Sequence, residues 1–210
     1  MTGICYVVGA GENYGLHFVP EAGDKVIAVD GGFRFLEESG VAADAVVGDF
    51  DSLESVPQHP NVLKLSREKD DTDMRVAVRE GIRAGYEYFH IYCGTGGRIE
   101  HTIANMQLLA ELSLAGKQGF LFGRDYVMTA VTDKSMTFRE GLSGYVSVFA
   151  HSERAKGVFL KGLKYELNDA ILTNTYPLGV SNEFTGEKSS ITVKKGTLLI
   201  VLPPMAVERL

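Results

Sequence analysis

Apolar residues in the first 124 positions alternate between short runs typical of strands and longer segments with helical spacing. The predicted strands are residues 4–8, 26–30, 45–47 and 89–93, and the predicted helices are 33–39, 72–84 and 102–115. Strands that alternate with helices predict a three-layer α/β domain with a mainly parallel sheet. Ligands of such sheets bind at the carboxyl ends of the strands, so the residues that follow each strand come first in a search for a site.

The pattern changes after about Gly123, where short β-rich segments separated by glycines replace the helices. The predicted strands are 126–131, 135–138, 145–150, 158–160, 171–173, 190–193 and 197–202. Many short strands with regular turn signals predict an all-β sandwich or a barrel-like domain. We therefore predict two domains, 1–124 and 125–210.

Composition narrows the classes of protein that this chain could represent. The 210 residues carry a formal net charge of −6, which argues against general nucleic-acid binding because phosphate backbones attract basic surfaces. The longest apolar run near the end, 198–205, is too short to span a bilayer, and residues 1–15 lack a signal-peptide pattern. Cys5 and Cys93 each lie in a strand-like run, which predicts buried thiols in a cytoplasmic protein.

Aspartates gather at the predicted binding edge of the first domain. Asp30 ends one strand, Asp49 and Asp51 follow the next in G-D-F-D-S, and Asp71 and Asp73 open a helix in D-D-T-D. Carboxylates around Mg²⁺ usually leave some positions to water and substrate phosphates, so this pattern predicts a magnesium site. Each aspartate alone could equally be turn or helix-capping chemistry, and Asp70, Asp71 or Thr72 suits an N-cap.

A glycine-rich segment, G-T-G-G-R-I-E-H, joins the predicted strand 89–93 to the helix that follows it. Gly96 and Gly97 would let backbone N–H groups approach phosphates closely, and Arg98 could clamp a phosphate by two hydrogen bonds. Glu100 and His101 directly precede that helix. The alternative is a tight strand-to-helix turn with a solvated arginine. The segment is not a Walker motif, which would require G-x-x-x-x-G-K-[ST].

A second glycine-rich segment, G-A-G-E-N-Y-G at 9–15, follows the first predicted strand, and Asp30 lies 19 residues after Gly11. This arrangement is similar to a dinucleotide-binding fingerprint, although the last glycine gap is one residue too long and Pro20 limits a crossover helix. The fingerprint also leaves the aspartates of 49–73 unexplained. A nicotinamide-dependent oxidoreductase therefore stays open as an alternative.

The ordered set of motifs resembles the thiamine pyrophosphokinase family across nearly the whole chain. The motifs are D-G-G at 30–32, G-D-F-D-S at 48–52, D-D-T-D at 70–73, G-G-R at 96–98 and S-N-E at 181–183. The resemblance implies an α/β domain followed by a β-sandwich domain, a homodimer, and transfer of pyrophosphate from ATP to the thiamine hydroxyl with Mg²⁺. It implies ATP and Mg²⁺ binding by 1–124, thiamine binding by 125–210, and thiamine diphosphate and AMP as products.

The resemblance also implies roles for individual residues. The metal ligands would be Asp49, Asp51 and Asp73, and these would form the catalytic set together with Asp71 and Arg98. The ATP side would comprise Asp30, Gly31, Gly96, Gly97, Arg98, Glu100 and His101, and the thiamine side would comprise Tyr165, Ser181 and Asn182. Two positions depart from the family pattern: Glu100 stands where an aspartate is usual, and Tyr165 stands where some members carry tryptophan.

Three alternatives accompany this interpretation. One is another magnesium-dependent nucleotide phosphotransferase or hydrolase, and the second is the oxidoreductase described above. The third is a non-catalytic sensor whose β domain binds a small molecule. The segment 181–183 could also be an ordinary polar hairpin turn, and Tyr165 a half-buried strand aromatic.

Overall fold

A computed structural model describes residues 3–50, 58–66 and 70–207. The chain divides into two compact units, one made of Met1–Leu108 and Lys117–Arg124, the other of Leu109–Gly116 and Asp125–Leu210. The separate ATP-binding and thiamine-binding roles of 1–124 and 125–210 remain predictions.

The first unit is built on parallel strands joined by helices. Its elements are β1 (Ile4–Val8), β2 (Lys25–Val29), α1 (Gly32–Glu38), β3 (Ala45–Gly48), β4 (Val62–Lys64), α2 (Asp73–Arg83), β5 (Tyr88–Tyr92), α3 (Ile99–Leu114) and β6 (Gln118–Phe122), the end of α3 belonging to the second unit. The strand order is β6-β5-β1-β2-β3-β4, with every pair parallel. The chain builds outward from β1 to β4 and then returns to the other side of β1, so the order reverses between β1 and β5.

Burial of both sheet faces explains why these strands are almost continuously apolar. Cys5, Ile27 and Ile91 have no solvent exposure, as expected for central strands covered on both faces. Aromatic rings pack beside them: Tyr6 stacks on Phe18 with ring centroids 4.0 Å apart. The two free cysteines, Cys5 and Cys93, are buried.

The start of α2 shows how local sequence fixes a helix boundary. Thr72 is extended (φ −76°, ψ 150°), and its hydroxyl accepts a hydrogen bond from the Arg75 N–H at 3.2 Å. This is the N-cap that the sequence predicts at or near Thr72, and it satisfies one of the backbone donors left open at a helix start.

The second unit is an antiparallel sandwich. Its strands are β7 (Val127–Thr132), β8 (Ser135–Phe138), β9 (Ser143–Ala150), β10 (Arg154–Lys161), β11 (Leu167–Thr173), β12 (Gly179–Thr185), β13 (Ser189–Lys195) and β14 (Thr197–Leu202), followed by a short 3₁₀ helix at Pro204–Ala206. One sheet has the order β12-β9-β14-β7 and the other β11-β10-β13-β8. Alternate residues such as Val148, Ile200 and Leu160 share one buried core.

The predicted fold class, a parallel α/β unit followed by an antiparallel β unit, is confirmed. The predicted elements omit β4, β6 and β12. β4 is three residues long, and its Leu63 and Lys64 are exposed, so it carries no buried apolar run. β12 is interrupted by a bulge, and its polar residues resemble a turn in the sequence. Over the part of the chain that the structure describes, no helix has the length and apolar character that a membrane crossing requires.

Candidate functional site

The loops after β1 and β5 meet where the strand order reverses. The Gly11 N–H donates to the Cys93 carbonyl at 2.8 Å, and the Glu12 N–H donates to the Thr95 carbonyl at 3.0 Å. A side chain at Gly11 would clash, because its Cβ would lie 2.6 Å from each of those carbonyl oxygens. In open parallel sheets this reversal opens a crevice at the carboxyl ends of the strands, which is where ligands bind.

Three non-glycine residues with left-handed backbones stand at the carboxyl ends of strands in this sheet. Asp30 after β2 has φ 49°, Phe50 after β3 has φ 60°, and Cys93 after β5 has φ 52°. Such conformations are uncommon for residues with a side chain and cost about 1–3 kcal/mol each. Strained residues cluster at functional sites, so their presence at three strand ends indicates that the functional site lies at this edge of the sheet.

Asp30 is held against β3 by its backbone and its side chain. Its N–H donates to the Val47 carbonyl at 3.0 Å, and its Oδ1 accepts from the Phe50 N–H at 3.4 Å. Gly48 makes room for this carboxylate, since a Cβ at Gly48 would lie 1.9 Å from Asp30 Oδ1. The motifs D-G-G and G-D-F-D-S, which begin 18 residues apart, are therefore in direct contact.

Two further aspartates of the predicted set, Asp49 and Asp73, lie at the ends of elements in the same unit. Asp49 is half-buried directly after β3, and Asp73 is half-buried as the first residue of α2. The beginning of α2 lies over the end of β1, because a Cβ at Gly9 would come 2.6 Å from Met74 Cε. Asp51 lies outside the described residues.

The donor chemistry at this edge fits a hard cation that shares its ligands with a substrate. Asp30, Asp49 and Asp73 offer carboxylate oxygens from two strand ends and a helix start. Within residues 3–50, 58–66 and 70–207, no three His, Cys, Asp or Glu side chains lie close enough together to hold a metal ion by themselves. Magnesium is commonly held by one or two carboxylates plus phosphates and water, so the described residues are compatible with it.

Asp71 forms ion pairs with two arginines of α2. Its Oδ1 pairs with the Arg75 guanidinium, and its Oδ2 accepts from Arg79 Nη1 at 2.6 Å. Both carboxylate oxygens are therefore occupied by arginines on the next turns of α2. The sequence interpretation missed these arginines, although the spacings of four and eight residues on one helix face were a readable signal.

The loop 94–97 is open to solvent at its last residue, Gly97. Gly96 (φ 79°) and Gly97 (φ 58°) are left-handed, and a Cβ at Gly97 would meet no atom within 4 Å. The Gly97 N–H points at a carboxylate, Glu12 Oε1, at 3.4 Å. Hydrogen bonds from Tyr14 and Gly97 lower the pKa of Glu12, so the carboxylate next to this loop is charged at neutral pH.

Asn105 on α3 fixes the start of the same loop. Its side chain is buried, and its Nδ2 donates to the Gly94 carbonyl at 2.7 Å. Thr95 is also buried, and its hydroxyl has no hydrogen-bond partner among the described residues. Sequence reasoning passed over Asn105, whose only signal was a polar residue on the apolar face of a predicted helix.

Arg98, Glu100 and His101 are exposed at the beginning of α3. The Arg98 Nε donates to Glu100 Oε1 at 2.7 Å. Backbone hydrogen bonding and this contact with Arg98 lower the pKa of the Glu100 carboxyl group. The residue that departs from the family pattern therefore serves as the partner of the predicted phosphate clamp.

The structure does not support the dinucleotide-binding interpretation of 9–15. That motif opens a crossover helix, whereas the described chain has no helix between β1 and β2. The loop instead pairs with residues 93–97 through backbone hydrogen bonds. The glycines of 9–15 are explained by that close backbone approach.

The remaining predicted residues lie in the second unit. Tyr165 is exposed before β11, and Ser181 and Asn182 lie within β12, not in a hairpin turn. The register between β12 and β9 shifts between Gly179 and Asn182, and Ser181 has φ 57°. The Ser181 N–H donates to Ser147 Oγ at 3.0 Å, while Asn182 is buried.

Comparison with known proteins identifies the class to which this architecture belongs. Residues 19–119 match the family model described as thiamin pyrophosphokinase, catalytic domain, and residues 135–198 match the model described as thiamin pyrophosphokinase, vitamin B1 binding domain. A thiamine pyrophosphokinase of Bacillus subtilis is 26% identical over 182 residues, which is 83% of this chain and 85% of the relative.

Solved structures give the same result at the level of fold. Thiamin pyrophosphokinase from Geobacillus thermodenitrificans superposes with a TM-score of 0.82 at 25% identity, covering 97% of this chain and all of the other. Thiamine pyrophosphokinase from Bacillus subtilis superposes with a TM-score of 0.83 at 24% identity, covering 96% and 98%.

Proposed function

This chain belongs to the thiamin pyrophosphokinase family, and from that premise we propose how its residues divide the conversion of thiamine and ATP into thiamine diphosphate and AMP. It is an ATP:thiamine diphosphotransferase. The observation that carries the assignment of its active site is the contact between Asp30 and Gly48, which joins two of the acidic motifs at the crevice of the parallel sheet.

The reaction needs positioning and charge neutralisation more than covalent participation by the protein. The thiamine hydroxyl oxygen forms a bond to the β-phosphorus of ATP as the bond from that phosphorus to the α–β bridging oxygen breaks. AMP leaves with the bridging oxygen, and the hydroxyl proton passes to a carboxylate or to water. Nothing is oxidised or reduced.

Mg²⁺ would supply charge neutralisation for the phosphate oxygens. Asp49, Asp51 and Asp73 would hold it, and Asp30 lines the same crevice beside β3. The support for this set is the placement of the described carboxylates at strand and helix termini that face one edge. Asp51 enters through the motif alone.

The glycine loop 94–97 and Arg98 would bind the phosphates of ATP, with Gly31, Glu100 and His101 nearby in the motifs. A Cβ at Gly97 would meet no atom within 4 Å and Arg98 is exposed, so a ligand can approach this end of the loop. Glu12 must yield the Gly97 N–H for a phosphate to use it.

Two carboxylates, Asp71 and Asp73, could orient the thiamine hydroxyl, and the ion pairs of Asp71 argue against Asp71. Asp71 already holds Arg75 and Arg79, and accepting a proton would break both ion pairs. We therefore assign Asp71 the task of fixing the first turns of α2. Asp73, two residues on, would orient or deprotonate the hydroxyl.

Three further assignments rest on the family. Tyr165, Ser181 and Asn182 belong to the thiamine-binding part of the chain, through contact with the substrate or through support of a residue that makes it, in the unit matched by the vitamin B1 binding model. The enzyme works as a homodimer, which light scattering coupled to size-exclusion chromatography would test. It acts in the cytoplasm, in keeping with two buried free thiols.

The activity is tested by incubating the purified chain with thiamine, ATP and MgCl₂ and following products by phosphorus NMR. We expect thiamine diphosphate and AMP in equal amounts and no product in EDTA. Formation of ADP with thiamine monophosphate, or of free pyrophosphate independent of thiamine, would instead indicate another magnesium-dependent transferase or hydrolase.

The metal assignment is tested with Asp49→Asn and Asp73→Asn. Each should lower kcat/KM by about 10²–10³, as for loss of one preorganised electrostatic group. Asp169→Asn is the matched control, because Asp169 is an exposed aspartate of β11 that pairs with Lys194. Activity of Asp49→Asn or Asp73→Asn equal to that of the control would refute the assignment.

A further inference from the structure

Asn182 makes its hydrogen bonds to backbone. Its Oδ1 accepts from the Tyr165 N–H at 2.9 Å and from the Glu183 N–H at 2.9 Å, and its Nδ2 donates to the Tyr165 carbonyl at 2.7 Å. These partners fix the orientation of the amide, since an N–H can meet only the oxygen and a carbonyl only the NH₂ group. One side chain therefore binds both backbone polar groups of Tyr165.

Burial makes this contact rigid. Asn182 is 3% exposed, so water cannot replace the bonds that it makes to Tyr165. The bulge in β12 explains the unusual direction of the side chain: with Ser181 left-handed, the strand turns Asn182 inward beneath residue 165.

The residues around Tyr165 hold the same segment from the other side. The Lys164 N–H donates to the Glu183 carbonyl at 3.0 Å, and the Lys164 ammonium pairs with the Glu183 carboxylate at 2.7 Å. That ammonium also lies 5.4 Å from the centre of the Tyr165 ring. The Tyr165 side chain nevertheless remains 59% exposed, so an accessible ring stands on a fixed backbone.

We propose that Asn182 is a positioning residue for thiamine binding: it fixes the backbone of Tyr165 so that the exposed ring is ready to meet the substrate, and it does not itself contact thiamine. The inference rests on the proposed function in placing thiamine on this unit. A rigid aromatic face binds more tightly than a mobile one because less conformational freedom is lost on binding. Removing Asn182 should therefore weaken thiamine binding through Tyr165.

The chain contains no tryptophan, so Tyr165→Trp introduces a single tryptophan at the position of interest, whose fluorescence can be excited apart from that of the tyrosines. Fluorescence anisotropy of this protein without ligand reports the mobility of the substituted side chain and does not depend on any activity. We expect anisotropy to fall when Asn182→Ala is added to Tyr165→Trp. Asn168→Ala, an exposed asparagine of β11, is the matched control and should leave the anisotropy unchanged.

Steady-state kinetics of the Asn182 variants, with Tyr165 intact, then compare the effect on the KM for thiamine with the effect on the KM for ATP. We expect the KM for thiamine to rise by about tenfold or more, as for loss of buried hydrogen bonds, while the KM for ATP changes by less than about twofold. Asn182→Asp keeps the oxygen acceptor, but it replaces the bond to the Tyr165 carbonyl by a repulsive contact between two oxygens. It serves as the folded variant if Asn182→Ala does not fold, and its effects should lie in the same direction.

The anisotropy and KM measurements distinguish the ways in which the proposal could be wrong. A higher KM for thiamine with unchanged anisotropy of the Tyr165→Trp fluorophore would mean that Asn182 contacts thiamine directly, which overturns the proposal. A lower melting temperature with equal changes in both KM values would mean a merely structural role, which also overturns it. Reduced anisotropy in a protein that forms no thiamine diphosphate would refute the proposed function. It would still establish that Asn182 fixes the residue at position 165.

Discussion

Gly48→Ala tests the geometry on which the candidate active site depends. The added methyl group would lie 1.9 Å from Asp30 Oδ1 and 2.8 Å from Asp30 Cγ, whereas ordinary van der Waals contact begins at 3.4 Å. The Asp30 carboxylate must therefore move by about 1.5 Å, which disturbs the hydrogen bond that its Oδ1 accepts from the Phe50 N–H. Gly48 itself is not left-handed, so the substitution acts through this contact and not through backbone strain.

The displacement predicts the size of the effect. Misplacing an active-site group by about 1 Å can cost 10²-fold in rate, so we expect kcat/KM to fall by about 10². Overpacking should also cost about 1–3 kcal/mol of unfolding free energy. Initial rates of AMP formation, measured well below the melting temperature of the variant, give the first value, and urea unfolding gives the second.

Two comparisons make the test specific. Gly81→Ala also overpacks the first unit, with a Cβ 2.6 Å from the Phe89 ring and 2.8 Å from Cys5 Sγ, and should lower stability without lowering kcat/KM. In an Asp30→Ala background, Gly48→Ala should cost little further activity, because the group that it displaces is already absent. Wild-type activity of Gly48→Ala, or additive losses in the double variant, would refute the reasoning.

The remaining predictions concern stability and the glycine loop. Burial lowers the pKa of His90 from 6.5 to about 4, so the unfolded chain binds a proton at this residue at a higher pH than the folded chain does. The stability contributed by neutral His90 should be complete above pH 6.5, and roughly 3 kcal/mol of unfolding free energy should be lost as the pH falls from 6.5 to 4. Plots of unfolding free energy against pH, obtained by urea unfolding of wild type and His90→Phe, should differ in slope across that interval. Thr72→Ala should lower the unfolding free energy by about 1 kcal/mol through loss of the N-cap, and Thr72→Ser should restore most of it; equal stabilities of all three proteins would contradict the cap. Asn105→Ala removes the bond to the Gly94 carbonyl and should raise the KM for ATP by about tenfold while leaving the KM for thiamine unchanged, which steady-state kinetics would show; equal effects on both substrates would contradict a local role.

Local sequence predicts those elements whose signals are complete within the segment. The predicted strands 4–8, 135–138 and 197–202 coincide with β1, β8 and β14, because each is a bounded apolar or β-branched run. The cap at Thr72 is equally local. β4 and β12 escaped prediction because exposed side chains and a bulge remove the periodicity on which such predictions depend.

The roles of site residues divide in the same way. The residue types at the strand ends identified the chemistry and the family. They could not show that Asp71 forms ion pairs with Arg75 and Arg79, or that Asn182 hydrogen-bonds the backbone of Tyr165. An aspartate and an asparagine read alike whether they meet a ligand or a neighbouring backbone. Only the contacts distinguish those uses.

By itself, the sequence determined the kinds of structure and the kinds of chemistry: two units of different periodicity, carboxylates at the carboxyl ends of strands, and a glycine-rich loop. The tertiary structure decided which of these groups touch. Asp30 lies against Gly48 because β2 and β3 pair side by side, and Asn182 reaches Tyr165 because a bulge turns it inward. Both contacts join segments 17 or more residues apart, and strand pairing over that distance depends on the packing of the whole unit, which no local pattern encodes.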